Sequence, residues 1–258
     1  SDFKFFFTRF LIIFLVFIVV FFTLFYYNAS QELETSKSNI KVEQKALLDG
    51  KKNYIESVIG SVVKETALLA DLLNQQEIYQ SEDTSSLQAK SVILNRVSKT
   101  LIAMSQRKEI YDQIRYLDLN GHEIVRVNFY DGKAIVVPKA QLQNKANRYY
   151  FKKPAQLDCN QVYVSPLDLN IEHGMIEIPH KPTIRMAAPV YDDYGNKRGV
   201  VIINYLANYL MDGLKLFNLN SGTNYMLVNR DGYFLYNNLK PELEFAFMFK
   251  NKQTQTIY

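Results

Sequence analysis

One cysteine and no tryptophan occur among 258 residues. With Cys159 alone, no disulfide can close within the chain. A lone thiol lacking a positioned base gives no case for nucleophilic catalysis, and Cys159 reads as a small side chain in a loop. A Gly-rich phosphate loop, a paired-carboxylate motif and a Ser/His/Asp arrangement are also missing, so no enzyme active site and no cofactor are expected. The 30 basic and 26 acidic residues leave a net charge of +4, scattered without a Lys/Arg block. Nucleic-acid binding therefore gains no support.

Charge is absent altogether from residues 10–30, which run through Leu11, Ile12, Ile13, Phe14 and Leu15 to Phe21 and Phe22. A membrane-crossing helix needs about 20 apolar residues, and this run supplies them. Lys4 and Arg9 precede it, while Glu32 and Glu34 follow. The positive-inside bias then makes residues 1–9 a cytoplasmic tail and sends the remainder outside. Tyr26 and Tyr27 suit the exit interface. The competing reading is a cleaved signal peptide, whose apolar core spans about 7–15 residues before a small-residue cleavage site. The longer run here, and the bulky residues before Ala29 and Ser30, favour an uncleaved anchor. Asn28-Ala29-Ser30 also matches a glycosylation acceptor, a short motif that arises often by chance.

Residues 31–108 are expected to form long extracytoplasmic helices. Ile55, Val58, Ile59, Val62, Leu69 and Leu73 recur at helical spacing, with Gly50 and Gly60 the weak points. Their stripe suits either the chain's own core or a second subunit. A polar loop over residues 81–86 leads to a second helix over 86–108. The period then changes to that of strands. Strands are expected over 111–119, 123–128, 134–137, 161–165, 183–190 and 199–205, with Asn120-Gly121 and Asp131-Gly132 as turn signals. A short helix is expected within 141–157, a polar connection over 166–182 and a helix over 206–216. Short turns between strands imply an antiparallel sheet. The fold class is thus α+β: an anchor helix continuing into a stalk helix, then a helix-flanked module of about five strands (109–216) that resembles a PAS domain. A linker over 217–223 and a hairpin around Arg230-Asp231-Gly232 begin a second module (217–258). The first residue is not methionine and the β-rich pattern stops at Tyr258, so the chain reads as a fragment of a longer protein.

The segments Ile114-Arg115-Tyr116-Leu117-Asp118-Leu119-Asn120-Gly121-His122-Glu123, Asn147-Arg148-Tyr149-Tyr150-Phe151 and Val162-Tyr163-Val164-Ser165-Pro166-Leu167-Asp168 resemble the double-Cache sensor domain of bacterial transmembrane receptors. Asn229-Arg230-Asp231-Gly232-Tyr233-Phe234-Leu235 is similar to the opening of that family's membrane-proximal module. The resemblance implies a ligand sensor outside the bacterial inner membrane, in the periplasm or extracellular space, working as a homodimer. The expected output is a histidine kinase, with a diguanylate cyclase or chemoreceptor as alternatives. A membrane-tethered module that binds protein and no small molecule is a further alternative.

In related Cache domains an Arg followed by aromatics on the short helix holds carboxylate ligands. The matching residues are Arg148, Tyr150 and Phe151, although Tyr150 and Phe151 stand where Trp-Tyr is usual, which puts amino-acid recognition in doubt. Arg148 is either a carboxylate fork or a structural ion pair, with the aromatics as core. Arg185, inside an apolar strand, needs a partner. Glu172 and Glu177 would make it a structural tie, and a ligand carboxylate is the alternative. Tyr163 and Ser165 share a strand face and complete the candidate small-molecule site. Arg126 is read as exposed on a solvated strand face. His173, His180, Glu172 and Glu177 do not have a zinc spacing, so no metal is expected.

Overall fold

The computed structural model describes residues 2–78, 80, 86–172, 174–217 and 224–249. The expected loop over 81–86 and linker over 217–223 therefore fall almost wholly outside the described residues. The chain divides into two units, Ser1–Asn53 and Tyr54–Tyr258. The first is helical: α1 is assigned over Asp2–Gln75 without interruption. By length and composition it is one helix able to cross a membrane, and its apolar window is 0% buried.

The second unit is the α+β module that the period change predicts. Helix α2 (Leu87–Lys108) begins where the Ser86 hydroxyl accepts the Ala89 N–H, and ends at Glu109 in a left-handed conformation. Seven strands form an antiparallel sheet: β1 (Tyr111–Leu117), β2 (Glu123–Tyr130), β3 (Lys133–Val136), β4 (Tyr163–Val164), β5 (Asp168–Leu169), β8 (Pro182–Tyr191) and β9 (Lys197–Leu206). Its order is β3-β2-β1-β9-β8-β4, with β5 also on β8. Strand β4 is a shorter form of the strand expected over 161–165, and two-residue β5 is the strand that was not expected. A separate hairpin, β6 (Ile171–Glu172) with β7 (Met175–Ile176), crosses the stretch expected to be an irregular connection. Its pairing is confined to two residue pairs, too short for a periodic signal.

The two sheet faces differ chemically. Ile114, Tyr116, Val127, Met186, Val201 and Ile203 pack with Val62, Leu69 and Leu73 of α1 and Val97 and Leu101 of α2 in one apolar core. This burial is the main driving force for the module. Gln113, Arg115, Asn204 and Arg185 alternate with these core residues and belong to the opposite face. Short helix α3 (Tyr149–Lys152) covers that face and places Tyr150 and Phe151 on Leu117, Ala187, Val200 and Ile202.

Beyond α4 (Asn208–Leu216), strands β10 (Met226–Val228) and β11 (Phe234–Asn237) form the second hairpin. Leu169 of β5 is buried with Met211, Leu235 and Phe245, which ties this hairpin to the first module.

Candidate functional site

Arg185 is 3% exposed, an expensive place for a charge unless partners surround it. Strand β5 supplies one, because Asp168 pairs with Thr183, two residues from Arg185 on β8. The guanidinium donates to Asp168 Oδ1 at 2.5 Å, to Asn170 Oδ1 at 2.9 Å and to Tyr149 Oη at 3.3 Å. It lies 4.8 Å from the Tyr150 ring centroid, within cation–π range. Tyr149 in turn donates to Asp168 Oδ2 at 2.5 Å. Burial raises the Tyr149 hydroxyl, Arg185 opposes this, and Asp168 adds to the rise, so the phenol stays protonated as a donor. Ser165 accepts the Arg185 N–H at 2.8 Å and locks the strand edge.

Asp168, rather than Glu172 or Glu177, is therefore the carboxylate on Arg185. Glu177 pairs with Lys181 at 2.6 Å, and Glu172 accepts from Gln113 Nε2 at 3.0 Å. A cleft of about 1010 Å³ opens onto Tyr149, Lys153, Tyr163 and Asp168, with Arg230 and Phe247 among its other lining residues. Arg185 thus sits behind a carboxylate and a phenol that both face the cleft. The Tyr163 hydroxyl is buried with no hydrogen-bond partner among the described residues.

The structure brings Tyr150, Tyr163, Ser165 and Arg185 together. Phe151 packs into the apolar patch beside them. Arg148 stands apart at the N-cap of α3, half-buried, and among the described residues no hydrogen bond or ion pair reaches its guanidinium. Arg126 is a correction: it is 6% exposed, not solvated. The residue packs on the covered sheet face, where its Nη1 meets Glu123 Oε2 at 3.1 Å. Glu123 also takes Arg115 Nη1 at 3.4 Å and the Gln143 N–H at 2.9 Å. Sequence reasoning missed this buried polar cluster because polar residues alternating along a strand look the same whether water or a loop covers them, and it missed Asp168 because a two-residue strand shows no period. His173 lies outside the described residues, and the His180 ring lies 5.4 Å from the Phe249 ring, tilted by 42°. Among the described residues, no group of His, Cys, Asp and Glu could hold a metal.

The family model described as the sensor domain of bacterial histidine kinases matches residues 54–257. The chain belongs to this family. No curated protein matches its sequence. Among solved structures, this histidine kinase sensor domain is similar to the extracellular domain of vpHK1S-Z8, assigned as a histidine kinase. The TM-score is 0.63 at 19% identity, over 82% of this chain and 79% of that one. It also resembles the sensor domain of the Vibrio cholerae histidine kinase DctB, with TM-score 0.56 and 14% identity over 79% and 68% of the two chains. A domain from Vibrio parahaemolyticus, assigned to a sensory box/GGDEF protein, gives 0.51 and 19% over 78% and 82%. At these identities the likeness concerns the fold, which is the sensor-domain fold anticipated from the double-Cache motifs.

Proposed function

We propose that this histidine kinase sensor domain detects a small organic anion bearing a carboxylate, outside the cell membrane. Residues 10–30 anchor it in the bacterial inner membrane, and the stalk helix pairs two copies. Residues 109–216 form the membrane-distal sensing module and residues 217–258 begin the membrane-proximal one. The observation that carries the reading is Arg185, buried at the end of an open cleft behind Asp168 and Tyr149. A buried guanidinium with a carboxylate already seated on it is a ready-made carboxylate receptor. Tyr163 and Tyr149 line the cleft and Tyr150 packs on the guanidinium from behind, while Arg148 begins the helix that carries Tyr149 and has no protein partner among the described residues. A ligand shifts the receptor only by binding its two states unequally, and exchange at Asp168 supplies such a difference.

The test is a melting series of the full chain in detergent with a panel of mono- and dicarboxylates. At least one is expected to raise the midpoint, and Arg148→Ala to weaken that ligand about tenfold or more, the size of one charge-assisted contact. Unchanged affinity in Arg148→Ala removes that residue from the site. A panel without any effect removes the reading.

A further inference from the structure

A second cationic cluster lies on the same sheet face. Arg115, Arg126 and Lys145 are 1%, 6% and 4% exposed. The only carboxylate in direct contact with the two arginines, among the described residues, is Glu123. Lys145 Nζ has a neutral partner, Gln143 Oε1, at 2.6 Å. Burial lowers the Lys145 amine, and Arg115 lowers it further, while Glu172 and Glu123 act in the opposite sense. Three buried cations facing one touching carboxylate leave positive charge that the interior must balance.

The cluster also holds buried polar atoms without a partner among the described residues. Arg115 Nε, Arg126 Nε, Asn204 Oδ1 and Asn128 Oδ1 are buried without a hydrogen-bond partner among the described residues. The two Asn oxygens are acceptors and call for a donor, but the two guanidinium Nε–H groups are buried donors with no acceptor among the described residues, which is rare in a finished core and marks a place that a bound acceptor completes.

One further carboxylate reaches in. Glu172, on the β6–β7 hairpin, accepts from Gln113 Nε2 at 3.0 Å, and Gln113 Oε1 accepts from Arg115 Nη2 and Asn204 Nδ2. Glu172 is therefore one residue removed from the arginine. Its hairpin is a two-stranded sheet of its own, and Met175 near the tip is 72% exposed. The base is held by Asn170, through the Glu177 N–H and Glu177 Oε2. The same connection thus places two carboxylates by two buried cation sites: Asp168 on Arg185, and Glu172 one residue away from Arg115.

We propose that the Arg115–Arg126–Lys145 cluster is an anion subsite for the carboxylate of a small organic ligand, and that Glu172 is its internal placeholder. The hairpin withdraws Glu172 when the ligand's carboxylate takes its place. This rests on the sensing role proposed above, but adds a subsite and a competitor that the Arg185 cleft does not require.

Glu172→Ala vacates the place. The full chain in detergent is melted with sodium acetate or propionate, against sodium chloride at equal ionic strength. The variant is expected to melt below the parent and to regain stability with acetate or propionate. Its half-restoring concentration should be at least about tenfold below that of any effect on the parent, because the internal competitor is gone. Adding Lys145→Gln should abolish the carboxylate-specific part. If Glu172→Ala does not fold, Glu172→Gln keeps the size, loses the charge and is read in the same way. Equal restoration by chloride, or equal response of parent and variant, overturns the placeholder. Restoration of the variant, alongside a parent blind to the whole carboxylate panel, keeps the anion subsite and removes the proposed sensing role instead.

Discussion

At the scale of single residues, charge and space make separate demands. Asp192, at the β8–β9 turn, accepts from the Tyr194 and Asn196 N–H groups at 3.0 and 2.8 Å and from Arg198 Nε at 2.8 Å. Burial pushes its carboxyl up, but the donors from Asn196, Arg198 and Tyr194 outweigh this and bring it from 3.8 to about 2. A carboxylate held low takes its proton less readily folded than unfolded. The stability it contributes is therefore present above about pH 4 and lost as the pH falls through about 2. Asp192→Asn should show a smaller fall in melting midpoint between about pH 5 and pH 2 than the parent; equal falls refute the account. Gly199 makes the steric demand. A Cβ there would lie 2.3 Å from the Leu117 carbonyl oxygen and 2.5 Å from Tyr116 Oη. The backbone carbonyl belongs to the paired strand and cannot retreat, so Gly199→Ala should lose about 1–3 kcal/mol in urea titration. The Gly-rich turns were legible in the chain, whereas this glycine was not. Its reason is a neighbour across the sheet, and no local pattern reports it.

At the scale of elements, legibility followed length. Helix α2 and strands β1, β2, β8 and β9 each carry several repeats of their period, and sequence and structure agree there to within about two residues, the ordinary scatter of element ends. Strands β5, β6 and β7 have two residues each: β5 owes its existence to β8, further along the chain, while β6 and β7 pair only with each other and are too short to show a period. The carboxylates that matter most for the site ride on these short elements, which is why Asp168 escaped notice while Arg185 did not. The next residue, Leu169, is 1% exposed in the cluster with Met211, Leu235 and Phe245, and its N–H points to Met248 Sδ at 3.0 Å. Strand β5 therefore has its acid in the cleft and its apolar neighbour in the seam to the second hairpin. Leu169→Ala should cost about 2–5 kcal/mol, as buried Leu truncations do. Hydrogen exchange should locate the loss: amides of β10 and β11 lose protection, while those of β1 and β9 change little. Uniform loss over the whole unit would mean that the seam is not a separable joint.

At the scale of the whole molecule, the sensing reading depends on where residues 54–258 are delivered. Leu15, Val16, Val20 and Phe22 are all more than half exposed on α1. Such a surface is out of place in water and at home in hydrocarbon. An arginine at the centre of a spanning helix costs about 2.5–3.5 kcal/mol on insertion scales. Val16→Arg with Val20→Arg should therefore move the chain from the membrane fraction to the soluble one, whereas Val16→Leu with Val20→Leu should not. Orientation is a separate matter, set by Lys4 and Arg9 before the span and Glu32 and Glu34 after it. Protease added to intact cells should digest the folded unit of the parent chain while sparing cytoplasmic proteins. Adding Lys residues just after the span, in place of Glu32 and Glu34, should reduce that digestion, because the charge bias no longer favours one side. If the folded unit is shielded in the parent chain, the cleft faces the cytoplasm. The carboxylate it detects would then be an internal metabolite, and the geometry around Arg185 would serve the same chemistry on the other side of the bilayer.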